Sequence, residues 1–181
     1  MSFSLSKDEA AVFPTELGGN PIDCGFRNIL WILDVLSDVN LSEYRRLLYA
    51  LKYFYPNGVP EDGIRLMSDF ISQKKKNDEP KEEPSMDFEF DAEEIYADFL
   101  REYNIDLFDT EMHWYKFLAL LNGLSDNGAL SRKIHIRTMD ISGLKGKEKY
   151  EAQKAKERVK IPVKYTIEEL AEISEFEKWG E

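Results

Sequence analysis

Reactive and metal-binding side chains are scarce in this sequence, which has one cysteine, Cys24, and two histidines, His113 and His135, in 181 residues. A lone thiol forms no intrachain disulfide, and none of the paired-cysteine zinc spacings can be built from it. Long apolar runs are lacking too. A stretch such as Ile29-Leu30-Trp31-Ile32-Leu33 falls far short of the roughly 20 residues that span a bilayer. The opening MSFSLSKDEAAVF has no basic patch followed by an apolar block, the signature of a secretory signal. These absences predict a protein without a membrane span, folding in a reducing, intracellular compartment. There is no G-x-S-x-G, no H-E-x-x-H and no Cys-His signature. Gly18-Gly19, Gly143 and Gly146 do not follow a strand at the spacing of a phosphate-cradling loop. No cofactor and no nucleotide are expected.

What is present is ample material for a core, with 43% hydrophobic and 13% aromatic residues, enough for one compact domain plus appendages. Net charge is -11, unevenly spread. Residues 78–111 hold 14 acids against Lys81 and Arg101, whereas 132–164 hold 11 Lys and Arg against 4 acids. A general nucleic-acid binder needs basic residues to dominate a face. The basic segment reads instead as a solvated arm that can meet an acidic partner.

Along the chain, residues 12–17 and Ile22-Asp23 flank Gly18-Gly19-Asn20-Pro21, where two glycines permit the positive φ of a tight reversal. A short β-hairpin is predicted. Phe26, Ile29, Leu30, Leu33 and Leu36 then mark a buried helical stripe, while Trp31, Ile32, Val35 and Val39 put apolar groups on another face. Ser42 is placed to cap a helix carrying Tyr44, Leu47, Leu48, Leu51 and Phe54 inward, until Pro56-Asn57-Gly58 stops it. Pro60 suits the first turn of the next helix, with Ile64, Met67 and Ile71 as its inner face. Residues 73–86, QKKKNDEPKEEPSM, read as a flexible linker, because ordering them costs chain entropy with almost nothing to bury.

Asp91-x-x-Glu94 resembles a capping box opening a helix with Ala92, Ile95, Tyr96, Phe99 and Tyr103 inside. The next helix, within 109–124, turns Trp114, Phe117, Leu118, Leu121 and Leu124 to one side, with Gly123 at its release. LSRKIHIRTMDIS has both helix and strand periods and is taken as helix. Residues 147–160 are charged enough to form only a solvated helix. A terminal segment starts with the box Thr166-x-x-Glu169 and carries Ile167, Leu170, Ile173, Phe176 and Trp179. The whole is mainly α: about six helices in a bundle with an N-terminal hairpin. A helical domain over 10–142, interrupted at 73–86, is followed by a charged extension over 143–181.

Candidate chemistry centres on His113. Glu111 and His113, two residues apart on a helix, point away from each other. Asp109 and His113, four apart, supply two ligands where zinc uses three or four. The simpler reading is an Asp109 or Thr110 cap with a histidine on the first turn. Asp91, Glu94 and Asp98 share a helical face and are read as a cap and a solvated acidic surface rather than a cation site.

DFEFDAEEIYADFLREYNIDLFDTEMHWYKFLALLNGL and IHIRTMDIS together resemble the bacteriophage gene-product-fifteen family of phages infecting Gram-positive bacteria, over about residues 10–160. The similarity rests on Asp91 through Tyr103, including Tyr96 and Phe99, on Ile105-Asp106-Leu107, and on His113-Trp114 with Phe117 and Leu118. It extends to Ile136-Arg137 and, near the start, to Gly25-Phe26-Arg27. Tyr115 departs from the Trp-Trp pairing common there. The resemblance implies a mostly helical, non-enzymatic protein of tail morphogenesis, similar to tail-assembly chaperones that bind the tape measure protein in the cytoplasm of the bacterial host. It brings no catalytic or metal residues.

A chaperone for a long apolar client needs exposed hydrophobic anchors kept soluble by charge. Trp31, Ile32 and Val35, and Leu170, Phe176 and Trp179, are the candidates, with core burial as the plainer role for Trp31. Neither nucleic acid nor membrane is expected as a partner, and the sequence leaves the oligomeric state open. An acidic decoy for a host nucleic-acid-binding protein, built on 78–111, is the alternative. A hydrolase using His113 with Asp109 is the third reading.

Overall fold

The computed structural model describes residues 6, 8–73 and 84–169. Most of the expected linker, residues 74–83, and all of 170–181 lie outside the described residues. The described chain is mainly helical, with eight helices and one two-stranded hairpin. It divides into two compact units. Unit 1 comprises Met1–Asn77, His113–Tyr115 and Val163–Glu181, and unit 2 comprises Asp78–Met112 and Lys116–Pro162.

Unit 1 begins with the single-turn helix α1 (Glu9–Val12) and the hairpin of β1 (Glu16–Leu17) and β2 (Asn20–Pro21). Glu16 pairs with Pro21 and Leu17 with Asn20, leaving Gly18 and Gly19 as a two-residue turn. Both have positive φ, 58° and 76°, which matches the strand twist and which other residues adopt only under strain. Gly18 is also confined by contact, since a Cβ there would stand 2.9 Å from Leu66 Cδ1.

Three helices follow: α2 (Phe26–Ser37), α3 (Glu43–Phe54) and α4 (Gly63–Ile71). Ser42 caps α3, its hydroxyl accepting from the Arg45 N–H at 3.4 Å. The inner faces differ from the sequence expectation by a rotation. In α2 the deepest residues are Phe26, Ile29, Ile32 and Val35, with Leu30, Leu33 and Leu36 half-buried. In α3 Ala50 and Phe54 are buried while Tyr44 and Leu48 face outward. In α4 Met67 and Phe70 are buried and Ile64 is exposed. Pro60 does not enter α4; it precedes it in a turn closed by the Gly63 N–H on the Pro60 carbonyl, 2.9 Å. Phe54 meets Tyr55 and Phe70 edge-on, at 4.8 and 5.3 Å between centroids, a favoured aromatic geometry.

Unit 2 holds α5 (Ala92–Tyr103), all but the first two residues of α6 (Trp114–Asn122), α7 (Ala129–Thr138) and α8 (Gly146–Arg158). Asn104, left-handed at φ 54°, ends α5, as an asparagine tolerates. Phe99 of α5 stacks on Phe117 of α6 at 5.4 Å, and the Tyr103 hydroxyl donates to the Leu120 carbonyl at 2.9 Å. The ambiguous segment is helix α7, as read. None of the residues of α8 is buried, as its charge predicts. Back in unit 1, Thr166 and Glu169 form the reciprocal capping box foreseen from sequence: the Thr166 N–H donates to Glu169 Oε2 at 2.7 Å, and the Glu169 N–H to Thr166 Oγ1 at 3.1 Å.

Candidate functional site

His113 comes first, because the sequence offered it as the best chemical group. The helix that was to carry it begins one residue later, at Trp114. His113 lies on extended chain, bridged to Gly25, and the Trp114 N–H donates to the Cys24 carbonyl at 2.8 Å. The Asp109 or Thr110 cap is therefore corrected: the imidazole itself takes the cap role. Its Nδ1 accepts from the Tyr115 N–H at 3.0 Å, which requires that Nε2 carry the proton and donate to the Pro14 carbonyl at 3.1 Å, so both nitrogens serve the backbone. Phe13, Phe70 and Tyr115 surround the ring edge-on, with centroids 5.1 to 5.7 Å away. Tyr115, stacked on Phe70, has its hydroxyl pKa pushed up to about 12 by burial and by the charge of Asp69. Trp114 is buried and donates its indole N–H to the Ile71 carbonyl at 3.3 Å.

In unit 2 the acids of α5 are not solvated. Asp91 and Asp98 are both fully buried, and this corrects their reading as a cap and an open acidic face. Asp91 makes no side-chain cap bond. It takes a bidentate pair from Arg137 at 2.8 and 2.9 Å, a bond from Lys133 at 3.0 Å and the Asp87 N–H at 3.0 Å. Burial pushes its carboxyl up, but the bonds from Arg137, the Asp87 amide and Lys133 outweigh it and hold the pKa below the usual carboxylate range. Lys133 also reaches Glu94 and the Phe90 carbonyl, 2.9 and 3.0 Å, and lies 4.4 Å over the Phe90 ring. Arg137 ties in the carbonyls of Val159 and Ser85. The signal was present in sequence, as acids at 91, 94 and 98 alternating with apolar 95 and 99, and cations four apart at 133 and 137. Its meaning required knowing that α5 faces α7.

Asp98 anchors the start of α7, accepting from the Ala129 and Leu130 amides at 2.9 and 3.0 Å. A carboxylate at that helix end satisfies free donors and meets the positive pole of the helix. His135, the other histidine, lines an open cleft of about 510 Å³ with Asp126, Ser131, Arg132 and Ile136. Ser131 and Arg132 are spent on the Ser125 and Asn127 carbonyls. Among the described residues no group of three or more His, Cys, Asp or Glu could hold a metal ion. None of their helices is long and apolar enough to cross a membrane.

The remaining candidates separate by burial. Ile32 and Val35 are core residues, so they offer no surface to a partner. Trp31 is 40% exposed, and its ring lies 4.1 Å from that of Tyr53, itself 49% exposed. Tyr49, one turn before Tyr53, is exposed beside them. The tyrosines were missed because their positions fall off the apolar stripe chosen for α3. Leu170, Phe176 and Trp179 lie outside the described residues. Of the motif shared with the phage family, Phe99, Trp114 and Phe117 are buried and Leu118 and Tyr103 half-buried. Tyr96 is half-buried with its hydroxyl on Asp106 at 3.3 Å.

The family model described as Bacteriophage Gp15 protein matches residues 8–161. No curated protein and no solved structure gives a significant match.

Proposed function

Since the chain belongs to the Bacteriophage Gp15 family, which points to phage structure or morphogenesis, we propose that it is a non-enzymatic tail-assembly chaperone that binds the tape measure protein. The observation that carries the proposal is the aromatic flank of Trp31, Tyr53 and Tyr49, exposed on a strongly charged chain. Amphipathic aromatics left open on a helix pair suit docking of an apolar helix. His113 supports the non-enzymatic part of the reading, with both ring nitrogens bonded to backbone.

The decoy alternative needs acids displayed at phosphate-like intervals. Within 78–111, Asp91 and Asp98 are buried, and Glu94 and Glu102 are held by Lys133 and by Arg101 with Ser125. The chaperone reading is therefore preferred. Its test is genetic and biochemical. Deleting the gene should yield heads without tails, and tape measure fragments should co-purify with the intact chain. Normal tails from the deletion would refute it.

A further inference from the structure

Five residues along α3 turn the helix by 500°, so Tyr44 and Leu48 stand roughly 140° around the axis from Tyr49 and Tyr53. They form a second apolar flank, one turn apart, 74% and 46% exposed. Arg45 and Lys52 border it, and α3 carries Arg45, Arg46 and Lys52 against Glu43 alone. On a chain of net charge -11 this helix is locally basic. Its natural complement is an acidic segment with apolar side chains.

Such a segment is brought to the place. Lys164 donates to Asp34 Oδ1 and Ser37 Oγ, 3.0 and 2.9 Å, near the end of α2. Further on, the Ile167 N–H donates to Asn40 Oδ1 at 3.0 Å, four residues before Tyr44. From 164 to 167 the chain thus runs along α2 toward the start of α3. The Thr166–Glu169 box opens a helix at that point. The next residues, LAEISEFEKWGE, hold Leu170, Ile173, Phe176 and Trp179 among four glutamates and one lysine.

We propose that residues 170–181 cover the Tyr44–Leu48 flank of α3, their apolar side chains on Tyr44 and Leu48 and their glutamates facing Arg45 and Lys52. The occupant is this chain itself. The claim is independent of the client proposed above, whose flank lies on the other side of α3.

Amide hydrogen exchange on the full-length chain tests it. Residues 170–179 should exchange at least about tenfold more slowly than an unstructured peptide. That protection should be lost in Tyr44→Glu/Leu48→Glu while α5 keeps its own, and it should not change on dilution. As a second variant, Phe176→Glu/Trp179→Glu should raise hydroxyl-radical labelling of Tyr44 severalfold. Unprotected exchange of 170–179 in the parent, or protection that survives Tyr44→Glu/Leu48→Glu, overturns the proposal. So does unchanged Tyr44 labelling. Protection that fades on dilution would assign the flank to a second copy and overturn it equally.

Discussion

Asp91 shows how much one side chain can organise. A carboxylate with no access to water is tolerated only if its charge is matched and its lone pairs are filled. Arg137, Lys133 and the Asp87 amide do both. Breaking such a pair leaves an unmatched buried charge, so Arg137→Met should destabilise unit 2 by about 3–5 kcal/mol. Amide exchange in α5 and α7 would report it. Arg137→Lys should recover little, because an ammonium cannot span both carboxylate oxygens. The pH dependence has a definite sign. The folded pKa of Asp91 is lowered, so its contribution is complete above the unfolded value of about 3.9 and is lost as pH falls through the folded one. Asp91→Asn should therefore flatten the acid limb of stability below about pH 4, as followed by denaturant titration at several pH values. His113 is a lesser case: His113→Ala removes a cap-like bond and should cost about 1–2 kcal/mol, measured by thermal unfolding.

Among the elements, α7 depends on its neighbour for its start. Gly128 precedes it and supplies no side-chain cap, so Asp98 of α5 performs that task from outside. A Cβ at Gly128 would collide with Asp98 Oδ2. Gly128→Ala should accordingly displace the carboxylate and loosen the first turn of α7, seen as faster exchange at Ala129 and Leu130, and Asp98→Ala should do the same by about 1–3 kcal/mol. Elements whose signals are local were legible in sequence: the glycine pair of the hairpin, Ser42 before α3, and Thr166 with Glu169. Helix rotation was not, because periodicity marks several acceptable stripes and only the neighbour selects one. On α3 Phe54 faces inward as read, but Ala50 joins it while Tyr44 and Leu48 face outward, for that reason. Asp91 had a capping residue's spacing, and the distant Arg137 claimed it. His113 falls one residue short of the helix, because its bond to Pro14 and its bridge to Gly25 tie it to segments that are remote in sequence.

At the scale of the described molecule, buried carboxylates are hydrogen-bonded while aromatic side chains are left at the surface. Asp91, Asp98 and the His113 imidazole are committed to holding elements together, whereas Trp31, Tyr49 and Tyr53 lie open. This contrast supports the proposal that the chain acts by contact with another polypeptide. The most direct test is equilibrium binding of the full-length chain to the tape measure protein, comparing Trp31→Asp with His113→Ala. Trp31→Asp should weaken binding at least about tenfold, some 1.4 kcal/mol, and His113→Ala should bind like the parent. Full affinity in Trp31→Asp, or loss of binding in a folded His113→Ala, would contradict the account.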